Sequence, residues 1–230
     1  DFEPDDIVSA AEKGGCRSIA YTYTEPTVFF EFAYETARRA HRRGIKNVFV
    51  TNGYLSAAAL DMIHPHLDAA NVDLKAFNDQ YYRDICGGRL AHVKETLELM
   101  KSRNIFVEVT TLIVPGLNDD PLELEALAQF LVDSLGPETP WHISRFHPTY
   151  KLTDRPPTPL ETLLKAREIG LGAGLKYVYT GNIPGEESEN TYCPACGKPV
   201  IERWGFRIRS YRIENGRCRH CNGVIDGIGL

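Results

Sequence analysis

The chain has 230 residues, of which 43% are hydrophobic and 25% are charged, and its formal net charge is −5. That length allows one sizeable core, with or without a small appendage, and excludes two full domains. The mild charge argues against nucleic acid or an acidic membrane surface as a partner, and no stretch approaches the ~20 uncharged apolar residues of a membrane span.

The N-terminal segment, DFEPDDIVSAAEKGG, begins with the signals of a helix start. Pro4 stands near the first turn, and Asp5 and Asp6 suit the positive end of a helix dipole. The segment lacks the basic and apolar regions of a signal peptide, so we expect a cytoplasmic protein. Because the chain begins without Met just before this helix, we also expect it to be a fragment of a longer protein.

Predicted strands and helices alternate along the next 170 or so residues. The predicted strands are CRSIAYTY, KNVFVTNG, AANVDLKA, IFVEVTTLIVPG, WHISRFH and LKYVYTG. The helix after the first strand, PTVFFEFAYETARRAHRRG, starts at Pro26 and ends at Gly44. Parallel neighbours need crossover connections, so six strands separated by helices predict a parallel α/β sheet, and the repeated order favours a barrel or part of one.

Polar residues follow every predicted strand, where parallel barrels collect their reacting groups. These residues are Tyr23, Thr24, Glu25, Thr51, Asn52, Gly53, Asp73, Lys75, Thr110, Thr111, His147, Thr180, Gly181 and Asn182. Asp73 and Lys75 project to the same face of their strand, and a carboxylate beside an ammonium suits a zwitterionic ligand such as an amino acid.

Each of these motifs alone also has a simpler interpretation. Glu25 is then a loop glutamate in water, and the Asp73 and Lys75 pair is a salt bridge at a strand end. Asn52 and Gly53 form only a turn, and the loop PGLNDD leads to Asn118 or Asp119 as a helix cap. A lone histidine such as His147 is more often structural than catalytic.

Four cysteines form two pairs near the C-terminus, in CPACG and CRHCNG. Each pair has two residues between its thiols and a small turn-forming residue after them, which lets one turn offer two thiolates to a tetrahedral metal. The pairs Cys193/Cys196 and Cys218/Cys221, with a predicted strand, turn and strand between them, therefore predict a structural zinc ribbon. A disulfide pair and a rubredoxin-type iron site remain alternatives, with zinc favoured because ribbons are the commoner use of this spacing. Of the other cysteines, Cys16 is expected to be a small buried residue.

The ordered set of motifs resembles the radical S-adenosylmethionine (SAM) enzymes of the pyruvate formate-lyase activating type. The resemblance is closest to the group called the AmmeMemoRadiSam system radical SAM enzymes. It covers AYTYTEPT, NVFVTNGY, NVDLKAF, TTLIVPGLND, SRFHPTYKLTDRPPTP, YVYTGN, NTYCPACG and CRHC. It implies a partial parallel (βα)6-type TIM barrel over residues 1–186, lacking its first strand and cluster loop, and a zinc-ribbon-like module over residues 187–230.

The resemblance also implies roles for individual residues. The corner formed by Tyr23, Thr24 and Glu25 stands where the superfamily has its Gly-Gly-Glu motif, which holds the amino group of the methionine moiety. Lys75 would hold the methionine carboxylate, and Asp73 would help bind the amino group or a nearby cation. The remaining implied cofactor-binding residues are Thr51 and Asn52, which line the same pocket, and His147, which approaches the ribose.

In such enzymes a 4Fe-4S cluster reduces SAM, which splits to methionine and a 5'-deoxyadenosyl radical that abstracts hydrogen from the substrate. The resemblance therefore implies an electron donor such as flavodoxin or ferredoxin, and a protein substrate or partner. Val50 and Thr110 stand where the pyruvate formate-lyase enzyme has an acid and an arginine, so we expect a different substrate.

The six cysteines do not contain the family's Cys-x3-Cys-x2-Cys spacing, so we expect the cluster ligands upstream of Asp1 and an inactive fragment. Two other functions remain open: a non-catalytic zinc-ribbon partner or scaffold protein, and a non-radical barrel enzyme that uses Lys75 or His147 in acid-base work.

Overall fold

The computed structural model describes residues 2–183, 185, 187–205 and 207–230. The strands of the largest sheet are β1 (Ser18–Tyr21), β2 (Lys46–Thr51), β3 (Ala69–Asp73), β4 (Phe106–Ile113), β5 (Trp141–Arg145) and β6 (Val178–Gly181). The α-helices are α1 (Pro4–Lys13), α2 (Phe30–Arg42), α3 (Ala57–Ile63), α4 (Asp79–Tyr81), α5 (Leu90–Ser102), α6 (Pro121–Phe130) and α7 (Leu160–Ala173). Within the described ranges, no helix is both long and apolar enough to cross a bilayer.

The six strands form one sheet in the order β1-β2-β3-β4-β5-β6. The registers of β1 with β2, β2 with β3, β4 with β5, and β5 with β6 are all parallel. The predicted parallel α/β architecture with six strands is therefore confirmed. The polar motif residues Thr51, Asp73 and Gly181 are the last residues of β2, β3 and β6, whereas Thr110 and Thr111 lie inside β4.

Two compact units divide the chain, and each has a core of its own. The first consists of residues 1–74 and 89–108, and the second of residues 75–88 and 109–230. Fully buried side chains of the first include Phe49, Leu60 and Leu97, whereas Trp141 and Leu131 are fully buried in the second. The Trp141 indole Nε1 donates a hydrogen bond of 3.0 Å to Thr111 Oγ1. The domain boundary between residues 186 and 187 stays a prediction, and residue 186 lies outside the described residues.

Helix α2 starts at Phe30, four residues after the predicted start at Pro26. Residues 26–29 form a turn in which Val28 N donates to Glu25 O at 2.9 Å. The backbone N–H and the hydroxyl of Thr27 both donate to the Glu25 carboxylate. A side chain that takes up these donors favours a local turn over the first turn of a helix, which the hydrophobic spacing alone does not reveal. The predicted end at Gly44 is close, because α2 ends at Arg42 and Gly44 has a φ of 73°.

Short antiparallel strands make up the C-terminal part of the chain. They are β7 (Thr191–Tyr192), β8 (Pro199–Trp204), β9 (Arg207–Tyr211), β10 (Ile213–Glu214) and β11 (Arg217–Cys218). The first three form a sheet in the order β7-β8-β9, and β10 pairs with β11. The strand, turn and strand predicted between the two cysteine pairs are confirmed by β8 and β9. Cys193, Val200, Ile201, Cys218 and Ile225 belong to the buried cluster of this module.

Cys16 does not belong to a buried cluster. It is exposed, so the expectation that it is a small buried residue is wrong. It follows the glycines that end α1 and lies in the turn that leads to β1, where the backbone N–H of Cys16 donates to Ala11 O at 2.9 Å. The turn fixes the backbone there and leaves the thiol outside the core.

Candidate functional site

The Glu25 carboxylate is held by donors from the loop after β1, from the last residue of β2 and from the loop that follows β2. Its Oε1 accepts from Thr51 Oγ1 at 2.6 Å, and its Oε2 accepts from the backbone N–H of Asn52 at 2.7 Å. Thr27 completes the set, donating to Oε1 from its backbone N–H at 3.3 Å and its hydroxyl at 3.2 Å. Glu25 is half-buried. The simpler interpretation, a loop glutamate in water, is therefore wrong.

Glycine at position 53 allows the chain to turn tightly after β2 and to pack closely against neighbouring side chains. Gly53 has a φ of 74°, which favours glycine, and a Cβ there would lie 2.9 Å from methyl groups of Val72 and Val93. The Gly53 N–H donates to Thr51 Oγ1 at 3.1 Å. The tight turn places the Thr51 hydroxyl and the Asn52 N–H toward the same carboxylate.

The electrostatics of this cluster favour a positively charged ligand. Four neutral donor contacts surround the Glu25 carboxylate, and no lysine, arginine or histidine in the described part of the chain forms an ion pair with it. Each carboxylate oxygen has about two acceptor positions. Oε2 accepts only the Asn52 N–H among these contacts, so it retains capacity for a donor such as an ammonium group.

Tyr23, Thr24 and Asp73, the other predicted residues of the first unit, do not join the hydrogen bonds that the described residues make to Glu25. Tyr23 is 93% exposed and Thr24 is also exposed, and the peptide bond between them is cis. Asp73 is half-buried at the carboxyl end of β3. The structure thus brings together Glu25, Thr51 and Asn52 from the predicted set.

In the second unit, the backbone of Lys75 is fixed on both sides. Its N–H donates to the hydroxyl of Tyr82 at 3.1 Å, and its carbonyl accepts from Asn118 Nδ2 at 2.6 Å. His147 is exposed and lies two residues beyond the end of β5.

Asn118 is a residue whose role the sequence did not indicate. It is 1% exposed, and besides Lys75 O it contacts Leu112 O and the N–H of Val114. Helix α6 is capped by Asp120, whose Oδ1 accepts from Leu122 N at 2.8 Å. The interpretation of Asn118 or Asp119 as the cap is therefore wrong. The loop PGLNDD contains several polar residues, and the sequence does not indicate which of them is buried.

The four cysteines of the C-terminal module form a cluster of thiols that suits a metal ion. Their sulfur atoms all lie within 4.8 Å of one another. Cys193 Sγ is 3.6 Å from Cys221 Sγ, and Cys196 Sγ is 3.9 Å from Cys218 Sγ. A tetrahedral site with bonds of about 2.3 Å has sulfurs about 3.8 Å apart, whereas a disulfide bond is about 2 Å long. The cluster therefore fits one tetrahedral metal and excludes disulfides among these pairs.

Two similar turns present the thiols. The N–H of Gly197 donates to Cys193 O, and the N–H of Asn222 donates to Cys218 O, both at 2.8 Å. Gly197 and Asn222 have φ angles of 68° and 63°. This confirms the prediction that a turn-forming residue follows each pair.

Backbone N–H groups also stabilise the thiolate form of Cys218. Burial acts to raise the pKa of this thiol, whereas the N–H groups of His220 and Cys221, together with hydrogen bonds from the Cys193 and Cys221 thiols, lower the pKa to about 7. A thiolate is the form that binds a metal. At Gly223 an added Cβ would lie 3.3 Å from Cys221 Sγ and 2.9 Å from the Ala195 Cβ, so glycine leaves room beside the sulfurs.

Comparison with known proteins identifies the family. Residues 2–131 match the family model of the radical SAM superfamily. The chain is 48% identical to the uncharacterized protein MJ0808 of Methanocaldococcus jannaschii over 98% of the chain and 68% of that protein. It is 25% identical to pyruvate formate-lyase 1-activating enzyme of Escherichia coli K12, over 60% of the chain and 61% of that enzyme.

A solved structure supports the fold. The crystal structure of a domain of pyruvate-formate lyase-activating enzyme from Bacteroides vulgatus aligns with a TM-score of 0.63 and 16% identity, covering 72% of the chain and 99% of that domain. The chain spans about three fifths of the length of the E. coli enzyme. The family model matches more than half of the residues of the chain, and one relative is 48% identical to it. The chain therefore belongs to the radical SAM superfamily.

Proposed function

We propose that the chain is the SAM-binding part of a radical SAM enzyme of the glycyl-radical-enzyme-activating type. The observation that carries this proposal is the Glu25 carboxylate, held by Thr51 and Asn52 and without an ion-pair partner among the described residues. The low-identity relationship to an activating enzyme supports the type of reaction.

The proposed roles follow the contacts in each unit. Glu25 Oε2 accepts a hydrogen bond from the ammonium group of the methionine moiety, and Thr51 and Asn52 keep the carboxylate in place. The corner residues Tyr23 and Thr24 border this group, since both are exposed beside Glu25. Asp73, at the end of β3, supplies a second negative charge for the ammonium or a nearby cation.

On the second unit, Lys75 binds the methionine carboxylate and His147 approaches the ribose. The fixed backbone of Lys75 supports its role, because a side chain that starts from an ordered backbone loses less entropy on binding. SAM, when reduced by a 4Fe-4S cluster, supplies the 5'-deoxyadenosyl radical that abstracts hydrogen from the substrate. The residues of this chain bind and orient the cofactor.

We propose zinc for the four-cysteine cluster, with iron as the alternative. All four positions of the tetrahedron are thiols, so the site is closed and structural. The four cysteines lack the Cys-x3-Cys-x2-Cys spacing, and we expect the chain alone not to cleave SAM.

We also propose a protein substrate and an electron donor such as flavodoxin or ferredoxin, in the cytoplasm. The name of the E. coli relative states that it activates pyruvate formate-lyase, another protein. Val50 and Thr110 replace the acid and arginine of that enzyme type, which supports a different protein substrate. Free thiols are consistent with a reducing compartment.

Binding of SAM to the chain tests this function directly. Glu25→Gln should weaken SAM binding at least ~10-fold in calorimetry, because a hydrogen bond to a charged group contributes about 1.5–3 kcal/mol. The matched control is Glu31→Gln, an exposed glutamate of α2, which should bind like the unchanged chain. Equal affinities for the two variants would contradict the proposed site.

The second experiment measures SAM cleavage. After anaerobic reconstitution with iron and sulfide and addition of dithionite, the chain should produce no more than traces of 5'-deoxyadenosine. A chain that includes the cluster-binding cysteines should produce it. Product from the chain alone would refute the expectation that its six cysteines do not hold the catalytic cluster.

A further inference from the structure

The segment that begins at the first cysteine of the metal cluster, residues 193–230, carries a net positive charge. Residues 193–230 contain seven arginines and lysines against three acids, a net charge of +4. Residues 1–192 contain 19 against 28, a net charge of −9. The overall charge of −5 therefore hides a basic segment, and six of its seven basic residues are arginines.

Part of this charge lies on an exposed β-hairpin that also carries large apolar side chains. We call Trp204, Arg207, Ile208 and Arg209 the hairpin surface; they lie at the end of β8 and the start of β9. Trp204 is 50% exposed and Ile208 is 62% exposed. Trp204 lies opposite Arg207, and the Arg209 guanidinium carbon is 4.3 Å from the centre of the Trp204 ring.

The guanidinium groups of this surface lack carboxylate partners within the described part of the chain. Neither Arg207 nor Arg209 forms an ion pair there, whereas Arg219 of the same module pairs with Glu214 at 3.4 Å. The Arg203 guanidinium, in contrast, donates hydrogen bonds within the unit to Glu189 O and Thr191 Oγ1. The two exposed guanidiniums are therefore available for carboxylates of another molecule.

The position of β9 suggests how a partner binds. β9 is the edge strand of the sheet β7-β8-β9. An edge strand offers backbone groups to an extended segment, and the side chains on both faces of the edge then contact it. Charged residues also protect edge strands against pairing with other chains, but protection does not require an exposed tryptophan and isoleucine.

We propose that the hairpin surface binds an extended acidic segment of a partner protein along β9. Arginine and tryptophan are the side chains enriched at protein interfaces and at their energetic centres. Nucleic acid is less suitable, because Arg209 covers a face of the only exposed tryptophan in the described residues and Ile208 cannot stack on a base. This inference does not depend on the SAM site, since none of the residues proposed to bind SAM belongs to the hairpin surface.

The test uses the whole chain and a fluorescent 12-residue peptide in which Glu and Asp alternate with Leu and Phe. Fluorescence anisotropy should show binding at least ~10-fold tighter than for the same peptide with Gln and Asn, at about 50 mM salt, and weaker binding at about 500 mM salt. Arg207→Glu with Arg209→Glu should weaken binding at least ~10-fold, and Trp204→Ala should weaken it about 5-fold.

The control reverses two exposed charges in the other unit, Lys13→Glu with Arg17→Glu, and changes the net charge equally. It should bind like the unchanged chain. Bound metal, measured for every variant, shows whether the module remains folded. Equal binding of both peptides, equal loss in the control, or tighter binding of a 12-nucleotide oligouridylate would overturn the proposal. Self-association that the hairpin variant abolishes would assign the surface to a second copy and also overturn it.

Discussion

At the scale of single residues, Thr51 makes hydrogen bonds that the sequence did not predict. The resemblance places it in the cofactor pocket, and the structure shows its hydroxyl 2.6 Å from Glu25 Oε1. The same hydroxyl accepts from Gly53 N, and Thr51 is 3% exposed. It therefore connects the turn after β2 to the carboxylate, so the effect that we propose for Thr51 on SAM binding is indirect, through Glu25.

Replacing the Thr51 hydroxyl should loosen Glu25. Thr51→Val keeps the shape but leaves Gly53 N without its acceptor, so we expect a loss of about 1–2 kcal/mol of stability and ~5-fold weaker SAM binding. Thr51→Ser keeps the hydroxyl and should retain most of the affinity. Calorimetry with SAM and thermal unfolding measure both effects. Valine and serine variants with the same SAM affinity would show that Glu25 does not need this contact.

Glu25 and Asn118 show what the sequence reveals at this scale. The carboxylate was selected as a candidate because it stands in an ordered set of strand ends that resembles a family, and its role toward a ligand stays a prediction. Asn118 was not, because its buried contacts to Lys75 O and Val114 N depend on the path of the loop. A local sequence pattern predicts the secondary structure around a residue better than its contacts with residues that are distant in the sequence.

At the scale of elements, the strands and the start of α1 at Pro4 were predictable, whereas the start of α2 was not. Short runs with at least one β-branched residue marked all six strands, since alternating or buried apolar residues suit a sheet. Helix α2 starts late because the Glu25 side chain takes the donors of Thr27. The turn after β2 is a similar case, because Gly53 lies against Val72 and Val93, which both follow it by many residues in the sequence.

Gly44 and Gly53 have nearly the same backbone conformation. Alanine substitutions at the two positions therefore separate the cost of that conformation from the cost of steric overlap. Gly53 and Gly44 have φ angles of 74° and 73°, but only at Gly53 would a Cβ lie 2.9 Å from other side chains. Gly44→Ala should cost about 1 kcal/mol, from the left-handed backbone alone. Gly53→Ala should cost about 2–4 kcal/mol, with overpacking added. Urea unfolding compares them, and equal losses would show that the contact at Gly53 relaxes freely.

Metal in the cysteine module should be zinc and should stabilise the fold. We expect about one zinc per chain by mass spectrometry and no iron-thiolate absorption in the visible range. Removing it with a chelator, or replacing Cys218 with serine, should lower the melting temperature by at least about 5 °C, because metal binding contributes folding free energy. Cys86→Ser, at an exposed cysteine outside the cluster, should leave metal content unchanged.

At the scale of the whole molecule, the overall composition and net charge did not reveal how charge and contacts are distributed along the chain. The net charge of −5 gave no sign that residues 193–230 carry a charge of +4. The module lies in the same compact unit as β6, where Lys176 Nζ and the Tyr177 hydroxyl both lie 3.0 Å from Asp226 Oδ2. Contacts between residues about 50 positions apart cannot be identified from the composition of either segment.

The division into two units predicts that loss of the metal leaves the Glu25 site intact. The four cysteines belong to the second unit, whereas Glu25, Thr51 and Asn52 belong to the first. The Glu25-dependent part of SAM binding, the difference between the unchanged chain and Glu25→Gln, should therefore be the same with and without metal. If the difference vanishes in the metal-free protein, the two units depend on each other.

The two tryptophans give the molecule two separate optical reporters. Trp141 is fully buried, with its indole N–H bonded to Thr111, and Trp204 is half-exposed beside Arg209. Indole emission shifts to longer wavelength as water reaches the ring. Loosening of the hairpin should therefore change only the red part of the emission spectrum, whereas the blue part should persist until the sheet itself unfolds.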